Sequence, residues 1–294
     1  MPSNWTQSLI ELIGRTSADL PQDVETALRK ARRQEKLKSP ARWALDTILD
    51  NIRLARARGA PLCQDTGSLL FYCEVPFRFD TRRLTAAVHA AVRQATSQGS
   101  LRPNTIDSLT GCSCANNLGV GAPVIHFDFV SRRTVAIRLI MKGGGSENVS
   151  AQFSLPDTRL EAGRDLEGAR RCILAAVRNA QGNGCAPGVL GVCIGGDRAT
   201  GAECAKRQLL RPLNEHAPEG RLAALERQAL RDAQKLGIGP MGFGGATTLL
   251  GVKIGALARV PASYFVSVAY MCWAFRRRGV VLDTAGRVVR QLYL

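Results

Sequence analysis

Apolar residues recur at helical spacing through the first sixty positions. The pattern predicts helices over Trp5–Ile13, over Val24–Glu35 after Pro21, and over Pro40–Ala57, where Trp43, Ala44, Ile48, Ile52 and Leu54 are the recurring positions. Residues 1–60 therefore read as a helical N-terminal layer. The period then changes. Ser68–Val75, a short apolar run with aromatics, reads as a strand, and Arg82–Gln98 returns to helix with Leu84, Val88, Ala91 and Val92 on one face. Scattered glycines make Gly99–Gly121 a loop. Val124–Val130 and Thr134–Met141 read as two strands paired with each other about the turn Ser131-Arg132-Arg133. Beyond them the pattern predicts helices over Leu166–Ala180, Gly201–Arg211 and Leu222–Leu236, and a buried strand over Val189–Ile194. It also predicts a loop over Gly237–Gly245, strands over Thr247–Leu257 and Tyr264–Phe275, and a short terminal strand over Arg287–Leu294. No linker composition and no internal repeat interrupts the chain. The fold class expected is α+β: a single mixed domain over 1–294, with helices packed around small antiparallel or mixed sheets.

The 294 residues, 45% of them hydrophobic, suffice to bury roughly three quarters of the unfolded surface, which excludes wholesale disorder. The longest apolar runs, Val189–Ile194 and Val266–Phe275, fall short of the ~18 to 20 residues that a bilayer span needs, so no membrane role is expected. Met1 to Trp5 offer neither a basic nor an apolar leader region, and the expected location is cytoplasmic. The net charge of +16 can draw nucleic acid, an anionic surface, an acidic partner or small polyanions. It is concentrated in Arg29 to Lys38, Arg53 to Arg58 and Arg276-Arg277-Arg278. The first two runs read as solvated helix faces. Few aromatics interleave them, so a base-stacking platform is missing.

The cysteine count is nine, with no C-x-x-C pair, which excludes a zinc ribbon and a ferredoxin-type run. Cys73, Cys172 and Cys193 sit among apolar neighbours and read as small buried hydrophobes. Three glycine clusters stand at element ends: Lys142 to Asn148, Gly191 to Arg198, and Gly237 to Gly245. None matches G-x-x-x-x-G-K-[ST]. The third has G-x-G-x-x-G spacing but follows a helix, precedes a strand and lacks the acidic residue ~20 positions on. Each cluster can be a set of tight turns or a cradle of amides for an anion. Cys63-Gln64-Asp65-Thr66-Gly67 places a thiol, an amide and a carboxylate side by side. Gly182 to Gly188 around Cys185 and Tyr270-Met271-Cys272-Trp273 add two more cysteines at loop or strand ends. Three such thiolates can serve one inorganic centre.

Cys63-Gln64-Asp65-Thr66-Gly67, Leu101-Arg102-Pro103-Asn104, Asn116-Asn117-Leu118-Gly119, Lys142 to Asn148, Gly195-Gly196-Asp197-Arg198, Gly237 to Gly245 and Cys272 to Arg277 follow one another in order. In this ordered set the chain resembles the α subunit, or N-terminal half, of the class I iron–sulfur-dependent fumarate hydratases and L-tartrate dehydratases. The resemblance implies a 4Fe–4S cluster held by Cys63, Cys185 and Cys272, with one iron not bound by cysteine and free to act as a Lewis acid. It implies that Asp65 transfers a proton at the substrate hydroxyl and that Gln64 hydrogen-bonds the substrate. Arg102 would grip one carboxylate of a C4 dicarboxylate, and the amides of Gly143, Gly144 and Gly145 would hold the other charge. Residues 61–294 then form the cluster- and substrate-binding region.

The chain departs from the family where longer members carry a substrate-contacting histidine; here the stretch reads Ala258-Arg259-Val260-Pro261-Ala262-Ser263. His89, His126 and His216 read as structural, and Cys112 and Cys114 as spare thiols. Full-length relatives have a further C-terminal domain, so a separate β subunit carrying that function is expected, in an α2β2 or similar oligomer. The function implied is a hydro-lyase that interconverts fumarate and malate, with L-tartrate dehydration as the close alternative. From a different class, a basic nucleic-acid-binding protein is the competing reading.

Overall fold

The computed structural model describes residues 3–293. Met1, Pro2 and Leu294, the last residue of the expected terminal strand, lie outside the described residues. In chain order the first elements are α1 (Asn4–Ala18), α2 (Gln22–Gln34), α3 (Pro40–Arg58), β1 (Ser68–Pro76), α4 (Thr81–Ser97), β2 (Val124–Val130), β3 (Val135–Lys142), α5 (Gly144–Asn148) and β4 (Ala151–Ser154). They are followed by α6 (Leu166–Ala180), β5 (Gly188–Ile194), α7 (Arg198–Gln208), α8 (Gly220–Lys235), β6 (Leu249–Ala256), β7 (Phe265–Met271), β8 (Arg276–Leu282) and β9 (Val288–Leu292). The fold is α+β, and the chain divides into two compact units. Each unit is assembled from separated stretches of chain, which is why no linker composition marks a boundary.

The first unit comprises Met1–Gln22, Asp50–Gly144 and Ala274–Leu294. Its sheet has the order β2-β1-β3-β8-β9. The expected pairing of β2 with β3 is not formed: β1 lies between them, parallel to β2 and antiparallel to β3. Burial explains the difference. β3 is buried at nearly every position and gains from neighbours on both sides, β1 and β8, whereas the half-exposed β2 suits an edge. Side chains of α1 and α4 complete the core over Leu69, Phe71, Cys73, Ile137, Leu139 and Met141. Asp80 starts α4 by accepting the amides of Arg82 and Arg83.

Periodicity did not reveal β8, because it opens on Arg276, Arg277 and Arg278, which a pattern reading places at the surface. All three are buried. Arg278 donates to the Asp19 carboxylate at 2.7 Å and to the Leu20 carbonyl at 3.0 Å, and Arg277 lies over the rings of Phe275 and Tyr293.

The second unit comprises Asp23–Leu49 and Gly145–Trp273. Its sheet has the order β4-β7-β5-β6, with β5 parallel to β6 and antiparallel to β7. β5 is buried throughout, as its continuous apolar run predicts, and α6 and α8 pack their apolar stripes into the same core. Asp165 caps α6, and Asp197 with Thr200 forms a capping box on α7. The cluster Gly195-Gly196-Asp197 is thus the turn that starts a helix. The predicted strands over Thr247–Leu257 and Tyr264–Phe275 appear as β6 and β7, while the short α5 and β4 carried too few residues for a period to register.

The buried stripe of α3 is Ala41, Leu45, Ile48, Ile52 and Ala55; Trp43 and Leu54, expected on it, are 59% and 41% exposed. Ile48 and Ile52 lie, as expected, on the buried face, which Leu45 and the small Ala41 and Ala55 complete. The basic runs Arg29 to Lys38 and Arg53 to Arg58 are largely solvated, as expected. Among the described residues no helix is long and apolar enough to cross a membrane.

Candidate active site

In the first unit, antiparallel pairing brings distant segments to one end of a sheet. The first residue of β1, Ser68, faces the last of β3, Lys142, and Met141 of β3 faces the first residue of β8, Arg276. The loop before β1 and the glycines after β3 therefore meet. Asp65 Oδ1 accepts from the amide of Gly67 at 2.8 Å and from Asn104 Nδ2 at 3.0 Å, and Oδ2 accepts from the amide of Gly144 at 2.7 Å. Three donors thus hold the carboxylate in one orientation. A Cβ on Gly143 would stand 2.9 Å from Asp65 Oδ2, so the close approach depends on the missing side chain.

Thr66 is buried, and its hydroxyl accepts the amide of Arg102 at 3.2 Å. Asn117, held in the left-handed region, donates to the Arg102 carbonyl and accepts the amides of Asn104 and Thr105. These bonds anchor the backbone of Arg102 and leave its side chain exposed, as is that of Gln64. Asn104, Asn117 and Thr66 were not singled out as site residues. Their signal was their place inside the ordered motifs, since a polar residue in a loop has no periodicity to mark it.

In the second unit, a single 3₁₀ turn over Gln181–Gly184 leads into Cys185, which has left-handed backbone angles. The ring of Tyr270 is buried against this loop: a Cβ on Gly184 or on Gly188 would come within 2.5 Å of it. The amide of Trp273 donates to the Cys185 carbonyl at 3.1 Å, and that of Cys272 to the hydroxyl of buried Ser146 at 3.2 Å. Cys185 and Cys272 are thereby held beside the same tyrosine, whose phenol is pushed up first by burial and then by the two thiols. The third glycine cluster buttresses the arrangement. Gly242 packs on Gly182, the amide of Met241 donates to the Ala186 carbonyl, and the buried Glu35 carboxylate accepts the amides of Ala246 and Thr247. Its glycines serve close packing. Gly145, α-helical in α5, approaches the Asn183 carbonyl of the Cys185 loop.

None of the nine cysteines is joined in a disulfide. Burial pushes the thiols of Cys73 and Cys172 up to about 12, which keeps them protonated and inert. Cys193 is likewise raised, by its hydrogen bond with Cys204 and by burial, and the same bond lowers Cys204. Cys63, Cys185 and Cys272 are half-buried and lie at loop or strand ends. Among the described residues no three His, Cys, Asp or Glu side chains are grouped as ligands of a single ion. Cys63 belongs to the first unit and Cys185 and Cys272 to the second; half-buried thiols are the donor type that iron–sulfur clusters take. His126 stacks on Tyr72 with ring centroids 4.9 Å apart, a structural role as expected.

Residues 6–281 match the family described as fumarate hydratase (fumerase). The chain belongs to that family. It is 48% identical over 292 residues to a Geobacillus stearothermophilus protein whose name assigns it to class I fumarate hydratase, covering 98% of this chain and 57% of that protein. It is 32% identical over 274 residues to a Methanocaldococcus jannaschii protein whose name assigns it to the L(+)-tartrate dehydratase alpha subunit, covering 92% and 94%. The L(+)-tartrate dehydratase alpha subunit of Escherichia coli K12 is 29% identical over 276 residues, covering 92% and 88%. The chain thus spans little more than half of the Geobacillus protein and nearly the whole of the two alpha subunits.

Proposed function

We propose that this chain is the α-type part of an iron–sulfur hydro-lyase that reversibly adds water to fumarate to give malate, with L-tartrate dehydration as the alternative activity. The observation that carries the reading is the Asp65 carboxylate, fixed by Gly67, Asn104 and Gly144 beside the side-chain-free Gly143. The identity to the Geobacillus protein favours fumarate over tartrate. Cys63, Cys185 and Cys272 would hold the 4Fe–4S cluster, which would supply a Lewis acid for the substrate's C–O bond.

The chain's own residues do the rest. Asp65, oriented by its three donors, moves the proton at the substrate hydroxyl, a contribution of about 10²–10⁴-fold. Gln64 hydrogen-bonds the substrate, and Arg102, its backbone locked to Thr66, extends an exposed guanidinium that grips one carboxylate through two parallel bonds. The amides of Gly143, Gly144 and Gly145 line the other end, that of Gly144 also donating to Asp65. The two compact units work as one functional domain over 1–294, in the cytoplasm. A β-type partner supplies the remaining substrate contacts in an α2β2 or similar assembly, as the alpha-subunit names of two relatives support.

The anaerobically reconstituted chain is expected to be brown, to bleach in air, and to hydrate fumarate faster than it dehydrates L-tartrate once a β-type companion is present, with little turnover alone. A colourless, iron-free protein that binds duplex DNA with a steep salt dependence would overturn the reading.

A further inference from the structure

The three buried arginines that open β8 are not equivalent. Arg278 has the Asp19 carboxylate and two backbone carbonyls, and Arg277 has two aromatic faces. Arg276 is only 1% exposed, yet its Nε and Nη1 are sealed without a hydrogen-bond partner. Arginine does not lose its proton, so a guanidinium buried in this way is strongly unfavourable unless an anion completes it. The nearby carboxylate does not: both oxygens of Asp65 are occupied by Gly67, Asn104 and Gly144.

The placement of Arg276 is specific. It faces Met141 at the end of β3, and its Nη2 lies 4.0 Å from the point where a Cβ on Gly143 would stand, the same point that is 2.9 Å from Asp65 Oδ2. The absent side chain of Gly143 thus separates a proton-transferring carboxylate from an incompletely satisfied cation.

We propose that Arg276 is a substrate-binding residue of this site, whose planar fork takes one carboxylate of the C4 dicarboxylate beside Gly143. The inference rests on the dicarboxylate reading above. It adds to Arg102 a second, buried cation, so that each end of a dianion meets a guanidinium. Residues retained for binding at a cost to folding have a signature that structural residues lack: removing them stabilises the empty protein.

The test uses the full chain carrying Arg276→Met or Arg276→Lys, with succinate as a non-reacting C4 dicarboxylate. Melting temperature is recorded against succinate concentration, and KM and kcat for fumarate are measured on the reconstituted protein with its β-type companion. Without ligand, Arg276→Met is expected to melt above the parent chain, to lose the succinate-induced rise in melting temperature, and to raise KM about 100-fold, the worth of a charge-assisted pair of hydrogen bonds. Arg276→Lys, which keeps the charge but not the fork, is expected to raise KM about 10-fold, and it carries the test if the methionine variant does not fold. Succinate response and KM unchanged in the variants, while the parent responds to succinate and turns over fumarate, would overturn the role of Arg276 and leave the dicarboxylate reading standing. A parent chain that neither responds to succinate nor turns over fumarate would overturn both.

Discussion

Asp65→Asn is expected to lower kcat for fumarate hydration by about 10²–10⁴-fold, because the amide has the shape of the carboxylate but cannot take up or release the proton. The cost to the fold can be worked out from the same three hydrogen bonds. The carboxylate accepts at both oxygens, two donors on Oδ1 and one on Oδ2. An amide has one oxygen. Its better orientation keeps Gly67 and Asn104 as donors and turns the NH₂ toward the amide of Gly144, so a donor faces a donor. One lost hydrogen bond with an unsatisfied group costs about 1–3 kcal/mol. Steady-state kinetics with a melting curve check both parts: a large fall in kcat with a modest fall in melting temperature is predicted, and kcat within threefold of the parent would remove Asp65 from proton transfer.

Tyr270→Ala should be the most damaging single change in the second unit. The ring fills the space left by two glycines on either side of Cys185 and stands two residues before Cys272. Truncating a buried aromatic side chain of this size costs about 3–5 kcal/mol. It also loosens the Cys185 loop from the strand that carries Cys272, to which the Trp273 to Cys185 backbone bond still ties it. Tyr270→Phe keeps the ring and should cost no more than about 1.5 kcal/mol. Denaturant midpoints measure the first effect, and iron retained per chain after gel filtration measures the second. Loss of iron in the alanine variant and retention in the phenylalanine variant is the expected pair, and full retention in both would show that the ring does not align the two cysteines.

Most helices and the strands β1, β5, β6 and β7 were legible because long apolar periods and continuous apolar runs report directly on which face is buried. Sheet order was not legible. β2 and β3 look like a hairpin in sequence, yet the number of neighbours that each can bury against decides their places, and that is a property of the whole sheet. β8 was hidden for a different reason. Three successive arginines are normally a solvated run, and here Arg277 and Arg278 are stabilised by partners distant in sequence, Tyr293, Asp19 and Leu20, which no local window contains.

The site was legible to the extent that its chemistry sits in short motifs. Cys63 to Gly67 and the glycines after Lys142 were marked by residue type alone, and the structure places Asp65 against Gly143 and Gly144 as a pair of antiparallel strands requires. What the motifs did not disclose is which residues act by holding others. Asn104 and Asn117 fix a loop, Tyr270 and Ser146 hold the cysteines, and Gly237 to Gly245 pack against the Cys185 loop, where the sequence left tight turns and an anion cradle equally open. Arg276 was visible as charge and as part of the Cys272 to Arg277 motif, but its burial and its missing partners appear only in the fold.

Counting iron in cysteine variants tests most directly the proposal that three thiols share one cluster. Cys63→Ser, Cys185→Ser and Cys272→Ser, each reconstituted anaerobically with iron and sulfide, should each lose the brown colour and most of the four irons expected for each chain of the parent. Cys73→Ser, Cys193→Ser and Cys204→Ser, treated identically, should keep both. Undiminished iron in any of the first three variants, or loss in the second three without loss of fold, would contradict the assignment.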